Sequence, residues 1–331
     1  MKKLLILAAA LLAAGAANAE PLKLRIHWAT IPGHWAPMNA KIGAEVQPHY
    51  GKSYVVEPIF IAGSGPAMQA LAAGELDLSG LSPQVIAAGI NEAKLDLHSI
   101  GQQLSTDVPG YAGSGFWVRK AEITKVEDLR GKTIGVNARG STIDAAARTM
   151  LAKYGMEDGK DYQIVELRFP AQLPALTSKR IDLAILLRPF DDQASKEPTL
   201  KELFSMGDAI GPTETVTWVG KADFIAKNRA VLVDFLEDNI RLRRWAAGEG
   251  HDKAVKALAE LVKKTPEEMA YAFTKGDNYY DPDAKVNAER MQKNIDDLVK
   301  IKLVNATINV KAVVDNSLAE EAAKRVGPMT N

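Results

Sequence analysis

The stretch GSGPAMQALAAGELDLSG, residues 63–80, decides how this chain folds. A turn of small residues leads into Pro66, which suits the first turn of a helix, and apolar residues then recur on one helical face. Gly74 ends the predicted helix, and Leu76-Asp77-Leu78 restarts the chain as a strand. The stretch therefore predicts one helix–strand unit of an α/β protein. The N-terminus of its helix, at Ser64-Gly65, offers free backbone N–H groups that can hold an anion.

The pattern returns in LPALTSKRIDL, residues 173–183, where Asp182 takes the place of Asp77. We interpret this as one building block used in two lobes, although such units are common enough in α/β proteins for the repeat to be a coincidence. The two aspartates lie between apolar neighbours, so we assign them to structure, with their carboxylates binding turn backbone. The segments 82–84 and 187–189 then follow equivalent strands, at the sheet edge where open α/β sheets bind ligands.

The first residues, 1–19, have the three parts of a secretory signal. Two lysines precede an apolar run, and the small residues Ala17-Asn18-Ala19 predict cleavage before Glu20. A retained membrane anchor is disfavoured because the run is shorter than the roughly 20 residues that a span needs. The sequence contains no cysteine and hence no lipid attachment site, so we expect an exported, untethered protein in a Gram-negative periplasm.

Composition excludes several classes of function. The 41 basic and 41 acidic side chains balance, which argues against nucleic acid or an anionic membrane as a partner. Without cysteine there are no disulfides, thiolate metal sites or cysteine nucleophiles. Zinc-ligand spacing, a phosphate-binding loop and a nucleophile elbow are also missing from the sequence. We therefore expect a binding protein without metal or cofactor rather than an enzyme.

Two crossings divide the predicted chain. Residues 109–115, PGYAGSG, are rich in residues that break regular structure, and the apolar strand pattern of residues 214–219 leads back. Helical periodicity dominates after Ala222. We predict a signal peptide at 1–19, a first lobe of residues 20–112 and 218–331, and a second lobe of residues 113–217, joined by a hinge.

Five short motifs follow one another along the chain: GSG at 63–65, GELD at 74–77, SPQ at 82–84, DLRGK at 128–132 and RGS at 139–141. In this order the chain resembles the nitrate, sulfonate and taurine group of periplasmic substrate-binding proteins of ABC importers. The resemblance implies a two-lobed fold of the second topological class, each lobe a mixed sheet flanked by helices, with a two-strand hinge. It also implies a monomer that catches a small ligand between its lobes and delivers it to a membrane permease.

Several residue types suit an organic anion in such a cleft. Helix N-termini at Ser64 and Ser141 supply hydrogen-bond donors, and Arg139 and Arg188 supply the bidentate fork that carboxylate or sulfonate prefers. Tryptophans beside the first loop can stack on an organic body. The candidate ligand-binding residues are Trp28, His34, Trp35, Ser64, Gly65, Ser82, Gln84, Arg139, Gly140, Ser141, Thr142 and Arg188.

Each candidate also has a simpler interpretation. The arginines can be ion-pair residues, the serines helix caps, and Trp28 a core residue of its strand. His34 can be a loop histidine without a special role, and we expect His27 to alternate to the opposite face.

The hypothesis is a periplasmic binding protein for a small sulfonate or carboxylate, with an aromatic body as one option. The alternatives are a nitrate-like anion, a precursor of the thiamine pyrimidine, and a periplasmic adaptor that presents its ligand to a sensor. The chain also resembles enzymes of thiamine-pyrimidine synthesis in fold. That activity is disfavoured because their cysteine-rich segment is missing here and the chain carries an export signal.

Overall fold

A computed structural model describes residues 20–329, so the predicted signal peptide at 1–19 lies outside the described residues. The described chain alternates strands and helices, as the sequence predicts for an α/β protein. The strands are β1 Leu22–Trp28, β2 Tyr54–Phe60, β3 Ser79–Leu81, β4 Leu97–Thr106, β5 Gly115–Arg119, β6 Thr133–Val136, β7 Gln163–Glu166, β8 Leu183–Leu186, β9 Leu200–Ser205 and β10 Thr213–Lys221.

The helices are short in the middle of the chain and longer towards its end. They are α1 Ala36–Ile42, α2 Ser64–Ala73, α3 Pro83–Asn91, α4 Thr142–Lys153, α5 Phe169–Thr177, α6 Phe190–Ala194, α7 Met206–Ile210, α8 Ala222–Lys227, α9 Arg229–Ala247, α10 His251–Val262, α11 Ala288–Lys300, α12 Val310–Val313 and α13 Ser317–Val326. Two 3₁₀ turns cover Gly43–Glu45 and Val126–Leu129.

Two groups of strands form the sheets. In the first, β1 pairs in parallel with β2, β10 pairs antiparallel with β3 and β4, and a parallel bridge from Ile26 to Leu78 links the two sets. In the second, the strand order is β7-β6-β8-β5-β9, with β6 parallel to both of its neighbours and β5 antiparallel to both of its own. The predicted fold class, mixed sheets flanked by helices, is confirmed.

The chain changes sheets between β4 and β5 and again between β9 and β10. The strand predicted at 214–219 is β10, which begins at Thr213 and pairs with β4 along its length. The division of the chain into two lobes at residues 112/113 and 217/218 stays a prediction.

Helix α9 covers the first group of strands. Leu232, Phe235, Leu236 and Ile240 recur at helical spacing and are fully buried in one core with Leu24 and other residues of β1. The second group of strands encloses separate apolar cores of its own.

The helix–strand unit of residues 63–80 forms with one shift. Helix α2 ends at Gly74, whose φ of 77° is the left-handed conformation that glycine adopts most easily. The strand begins at Ser79 rather than at Leu76. The reason is that both Asp77 and Leu78 donate their N–H groups to the same carbonyl, that of Arg25, so a regular ladder cannot start there.

Asp77 and Asp182 make the same pair of hydrogen bonds in the two halves of the fold. The Asp77 carboxylate accepts the Arg25 N–H at 2.8 Å, and the Asp77 N–H donates to the Arg25 carbonyl at 2.9 Å. Asp182 repeats both bonds with Thr133, at 3.0 and 2.8 Å. We call each pair an aspartate clip. The clips confirm the predicted structural role, with one correction: the partner is a neighbouring strand rather than a turn.

An arginine completes each clip. Arg25 itself donates to both oxygens of Asp77, and Arg119 donates to Asp182 at 2.6 Å. Arg119 is buried and also donates to the carbonyls of Leu176 and Ile181. The second clip therefore ties β5, β6 and the end of α5 together.

Replacing Asp182 with alanine should lower the free energy of unfolding by about 3 kcal/mol, because the buried Arg119 loses one of its two carboxylate partners and a strand N–H loses its acceptor. Urea titration followed by circular dichroism measures the change. The matched control is Glu197→Ala, an exposed acid in the same half of the fold, which should stay within about 0.5 kcal/mol of the parent. Equal stability of the two variants would contradict the role given to the clip.

Candidate ligand-binding site

A cavity of about 130 Å³ lies between the two groups of strands. Its walls come from the loop after β1, from β4 and β10, and from the loop 271–278 on one side. The other side is formed by the loops that follow β6 and β8, together with the starts of α4, α5 and α7. The volume suits a small molecule. The position, at carboxyl ends of strands, is the one predicted for the ligand.

Several hydrogen bonds hold the sides of the cavity together, two of them from side-chain nitrogens to backbone carbonyls. Gln84 donates its side-chain amide to the Gly140 carbonyl at 3.1 Å, and Arg188 donates from Nη1 to the Gly276 carbonyl at 2.7 Å. Each joins a residue near the first strands to a residue near the second. The structure is therefore in a closed arrangement around the cavity.

Arg188 provides the one permanent cation among the described residues that line the cavity. It follows β8 directly, and about a third of its side chain is exposed. Besides the bond to Gly276, its buried Nε has no hydrogen-bond partner, and the carboxylates of Asp191 and Asp192 lie 3.9 and 3.7 Å from that atom. Tyr271 fixes the backbone here by donating its hydroxyl to the Arg188 carbonyl at 3.0 Å. The hydrogen-bonding capacity that remains for a ligand is on Nη2, which has no acceptor among residues 20–329.

Two buried histidines face the same cavity without adding charge. Burial lowers the pKa of His27 to about 4 and that of His34 to about 3, so both rings are neutral at pH 7. The His34 Nδ1 accepts the Thr30 N–H at 3.3 Å, which leaves the ring proton on Nε2. Among residues 20–329 no acceptor takes that proton, so His34 presents a neutral donor at the cavity wall.

The position of His27 corrects an expectation. Alternation along β1 places it on the opposite face, but the structure buries it completely on the cavity wall, between the carbonyls of Gly80 and Ile61 at 3.1 and 3.0 Å. Alternation fails here because the carboxyl end of β1 enters the cavity region, where both faces of the strand are covered.

Helices α2 and α4 both begin at the cavity, as the sequence predicts. Ser141 caps α4 by accepting the Asp144 N–H at 3.2 Å, and it donates to Asn137 at 2.7 Å. Ser64 accepts the Ser82 N–H at 3.3 Å, and Thr142 donates to a carbonyl of β10 at 3.4 Å. These hydroxyls are engaged in the fold while they line the cavity.

Five of the predicted ligand-binding residues line the cavity: His34, Ser64, Ser141, Thr142 and Arg188. Seven lie outside its walls: Trp28, Trp35, Gly65, Ser82, Gln84, Arg139 and Gly140. Ligand contact stays a prediction for the first group, and the second group has other contacts.

Arg139 is an ion-pair residue, as its simpler interpretation predicts. Its Nη1 donates to Asp158 at 2.7 Å, its Nη2 donates to the Ile164 carbonyl, and its N–H donates to Glu166. All of these partners lie in or near β7, so the guanidinium points away from the cavity. Gly140, next to it, instead accepts the bond from Gln84 described above.

Both tryptophans also pack elsewhere. Trp28 meets the Phe60 ring edge-on, with centroids 4.9 Å apart. Trp35 is only 1% exposed and packs against Phe273 and Tyr280 at 5.2 and 5.1 Å. Its ring therefore faces the far side of the loop 271–282 rather than the cavity.

Sequence reasoning missed the loop 271–278. Tyr271, Gly276, Asp277 and Asn278 all line the cavity. Asp277 shapes this loop by accepting the Phe273 and Asn278 N–H groups and the Tyr280 hydroxyl, and burial raises its pKa to about 6. The segment follows β10 by some fifty residues, and only Gly276 and the polar residues around it signal a loop.

The described residues, 20–329, include no helix with the length and apolar character needed to cross a bilayer.

The two-sided α/β frame with a cavity between its halves defines the periplasmic binding protein fold, and solved structures agree. The chain is 17% identical to the periplasmic aliphatic sulphonate binding protein SsuA from Escherichia coli, with a TM-score of 0.64, covering 88% of this chain and 92% of that one. The chain is 15% identical to the periplasmic nitrate-binding protein NrtA from Synechocystis PCC 6803, with a TM-score of 0.70, covering 93% of this chain and 89% of that one. It is 16% identical to the alkanesulfonate-binding protein SsuA from Xanthomonas axonopodis pv. citri bound to MOPS, with a TM-score of 0.67, covering 89% of this chain and 99% of that one.

Residues 56–238, more than half of the chain, match the family model described as NMT1/THI5 like, so the chain belongs to that family. No curated protein sequence matches it. At these identities the solved structures show the fold alone. The predicted resemblance to the sulfonate and nitrate group of binding proteins is confirmed.

The two histidines predict how stability depends on pH. Their pKa values are depressed in the folded protein, whereas the unfolded chain takes up protons near pH 6.5. Stability should therefore fall as the pH drops from about 6.5 towards 4, each histidine contributing about 2–3 kcal/mol at pH 4.5.

Melting temperatures between pH 7.5 and 4.5 test this for the parent and for His34→Gln. Acidic groups titrate in both proteins and cancel in the comparison, so the variant should lose less stability on acidification. The same pH dependence in both proteins would show that His34 is not held neutral by the fold.

Proposed function

We propose that the protein is the periplasmic solute-binding component of an ABC importer. It captures a small organic sulfonate or carboxylate between two lobes and delivers it to a permease in the inner membrane. Residues 20–112 with 218–331 form one lobe, and residues 113–217 form the other. The protein acts as an untethered monomer, exported by the signal peptide at 1–19.

One observation carries this proposal: the Arg188 guanidinium faces a closed, largely apolar cavity in which the neighbouring histidines are neutral. A single cation with free hydrogen-bonding capacity suits one carboxylate or sulfonate group. Apolar walls from residues such as Ile31, Leu104 and Phe169 suit the organic remainder.

Arg188 also links binding to closure. Its Nη1 holds the Gly276 carbonyl on the opposite side of the cavity. A ligand anion that orders this side chain therefore favours the closed arrangement, which is the hinge behaviour expected of a binding protein.

Binding without chemical conversion fits the state of the polar groups. The Ser141 hydroxyl caps α4, the Ser64 hydroxyl accepts the Ser82 N–H, the His27 ring lies between two carbonyls, and the Asp277 oxygens already accept several donors. These groups position the walls of the cavity and are not poised for proton transfer or nucleophilic attack.

A neutral heterocycle is the second candidate ligand. The observation that favours it is the number of neutral donors and acceptors on the walls, among them His34, Asn137 and Asn278. Ring nitrogens and amino groups of a pyrimidine can pair with such groups.

Replacing Arg188 with alanine should weaken binding of the anionic ligand by well over tenfold, because the charge partner of the anion is removed. A thermal-shift screen of residues 20–331 against alkyl and aryl sulfonates, aromatic carboxylates, nitrate and pyrimidines identifies the ligand class, and calorimetry gives the affinities. A ligand at a hundred times its dissociation constant should add about 2.7 kcal/mol of stability.

Arg139→Ala is the matched control, since that arginine lies outside the cavity, and it should bind like the parent. Unchanged affinity in Arg188→Ala would overturn the role of Arg188. A shift with pyrimidines but with none of the anions would replace the proposed ligand by the second candidate.

A further inference from the structure

A second cavity, of about 770 Å³, lies on the other side of the loop 271–282 from the first. Asn278 lines both cavities, so this loop is the wall between them. Helix α9 and the C-terminal end of α13 form the opposite side. The lining combines arginines of α9 with the rings of Trp35, Tyr111, Trp245, Phe273 and Tyr280.

Among the three arginines that line this cavity, Arg243 is the one without a carboxylate within 4 Å. Only 3% of the residue is exposed, and its hydrogen-bond partners are the carbonyls of Gln102 and Asp281 and the Gln102 amide oxygen, all of them neutral. Its Nε has no partner. Arg241 and Arg244, by contrast, are paired with Glu237 and Asp283. Burial lowers the pKa of Arg243 to about 10, so the side chain is still charged at pH 7.

Trp35 packs beside this arginine. The Arg243 guanidinium carbon lies 5.3 Å from the centre of the Trp35 ring. A buried cation whose hydrogen-bond partners are all neutral costs free energy, which an anionic group in the cavity would recover.

We propose that the second cavity binds an aromatic carboxylate or sulfonate with one negative charge. The anionic group pairs with the Arg243 guanidinium, and the ring stacks among the aromatic side chains. This site is separate from the one at Arg188 and goes beyond the proposed function. Because Asn278 belongs to both walls, an occupant of the second cavity contacts the loop that shapes the first.

Benzoate is the probe, and the Arg188→Ala protein isolates the second site. By isothermal titration this variant should still bind one benzoate, whereas benzamide, which has the same shape without the charge, should bind at least tenfold more weakly. Equal binding of benzoate and benzamide, or no binding of benzoate, would overturn the proposal.

The second variant is Arg243→Lys in the same Arg188→Ala background. Lysine keeps the charge but loses the planar fork and the stacking on Trp35, so benzoate should bind about tenfold more weakly. Arg290→Lys, an arginine outside this cavity, is the matched control and should leave the affinity unchanged. Unchanged affinity in Arg243→Lys would also overturn the proposal. The parent protein distinguishes failure of this proposal from failure of the proposed function. If the Arg188 site binds no anion but the second cavity does, the parent and Arg188→Ala proteins both bind one benzoate with the same affinity.

Discussion

The aspartate clips determine where the ligand cavity is built. In each half of the fold, an aspartate after a helix accepts the N–H of a residue on a neighbouring strand and donates its own N–H to the carbonyl of the same residue. Two bonds to one residue fix the position of the returning chain along that strand. The loops that follow, with Ser82 in one half and Arg188 in the other, are thereby held at the edge of the sheets. Each clip carries an arginine, so the carboxylate charge is compensated where it is partly buried.

The electrostatics of the cavity follow from burial as much as from residue type. His27 and His34 are basic side chains by sequence, yet the fold removes them from water so thoroughly that they are neutral at pH 7. Asp277 is buried too, and its oxygens are occupied by the loop that it stabilises. Arg188 is the remaining cation on the described cavity wall, with the carboxylates of Asp191 and Asp192 beside its Nε. A cation in apolar surroundings attracts an anion more strongly than the same cation on the surface, because water screens it less.

The loop 271–282 lies between the two cavities. On one side Tyr271 and Gly276 contact Arg188, and on the other Phe273 and Tyr280 pack on Trp35. The buried Asp277 carboxylate accepts hydrogen bonds from three residues within the loop, and Asp281 accepts the Tyr279 hydroxyl. The same loop therefore contacts both Arg188 and Trp35.

The sequence by itself determined the features that local signals encode. Helix α2 ends at Gly74 because only a few residues adopt that conformation cheaply, the repeated aspartates mark the two halves, and Arg188 is placed at a strand end by the repeat. Order and spacing of short motifs were enough to predict the fold class and the family resemblance. Such signals can be recognised in the sequence because each depends on residues only a few positions apart in the chain.

Only the tertiary structure decided which side chains meet. Arg139 looks like Arg188 in sequence, but Asp158 pairs with its guanidinium and Glu166 accepts its backbone N–H, both of them near β7. Trp35 turns to the far side of the loop because Phe273 and Tyr280, more than two hundred residues later, pack against it. His27 is buried for a similar reason. Burial, charge pairing and ring packing all depend on partners distant in the chain, and these contacts set the chemistry of the site.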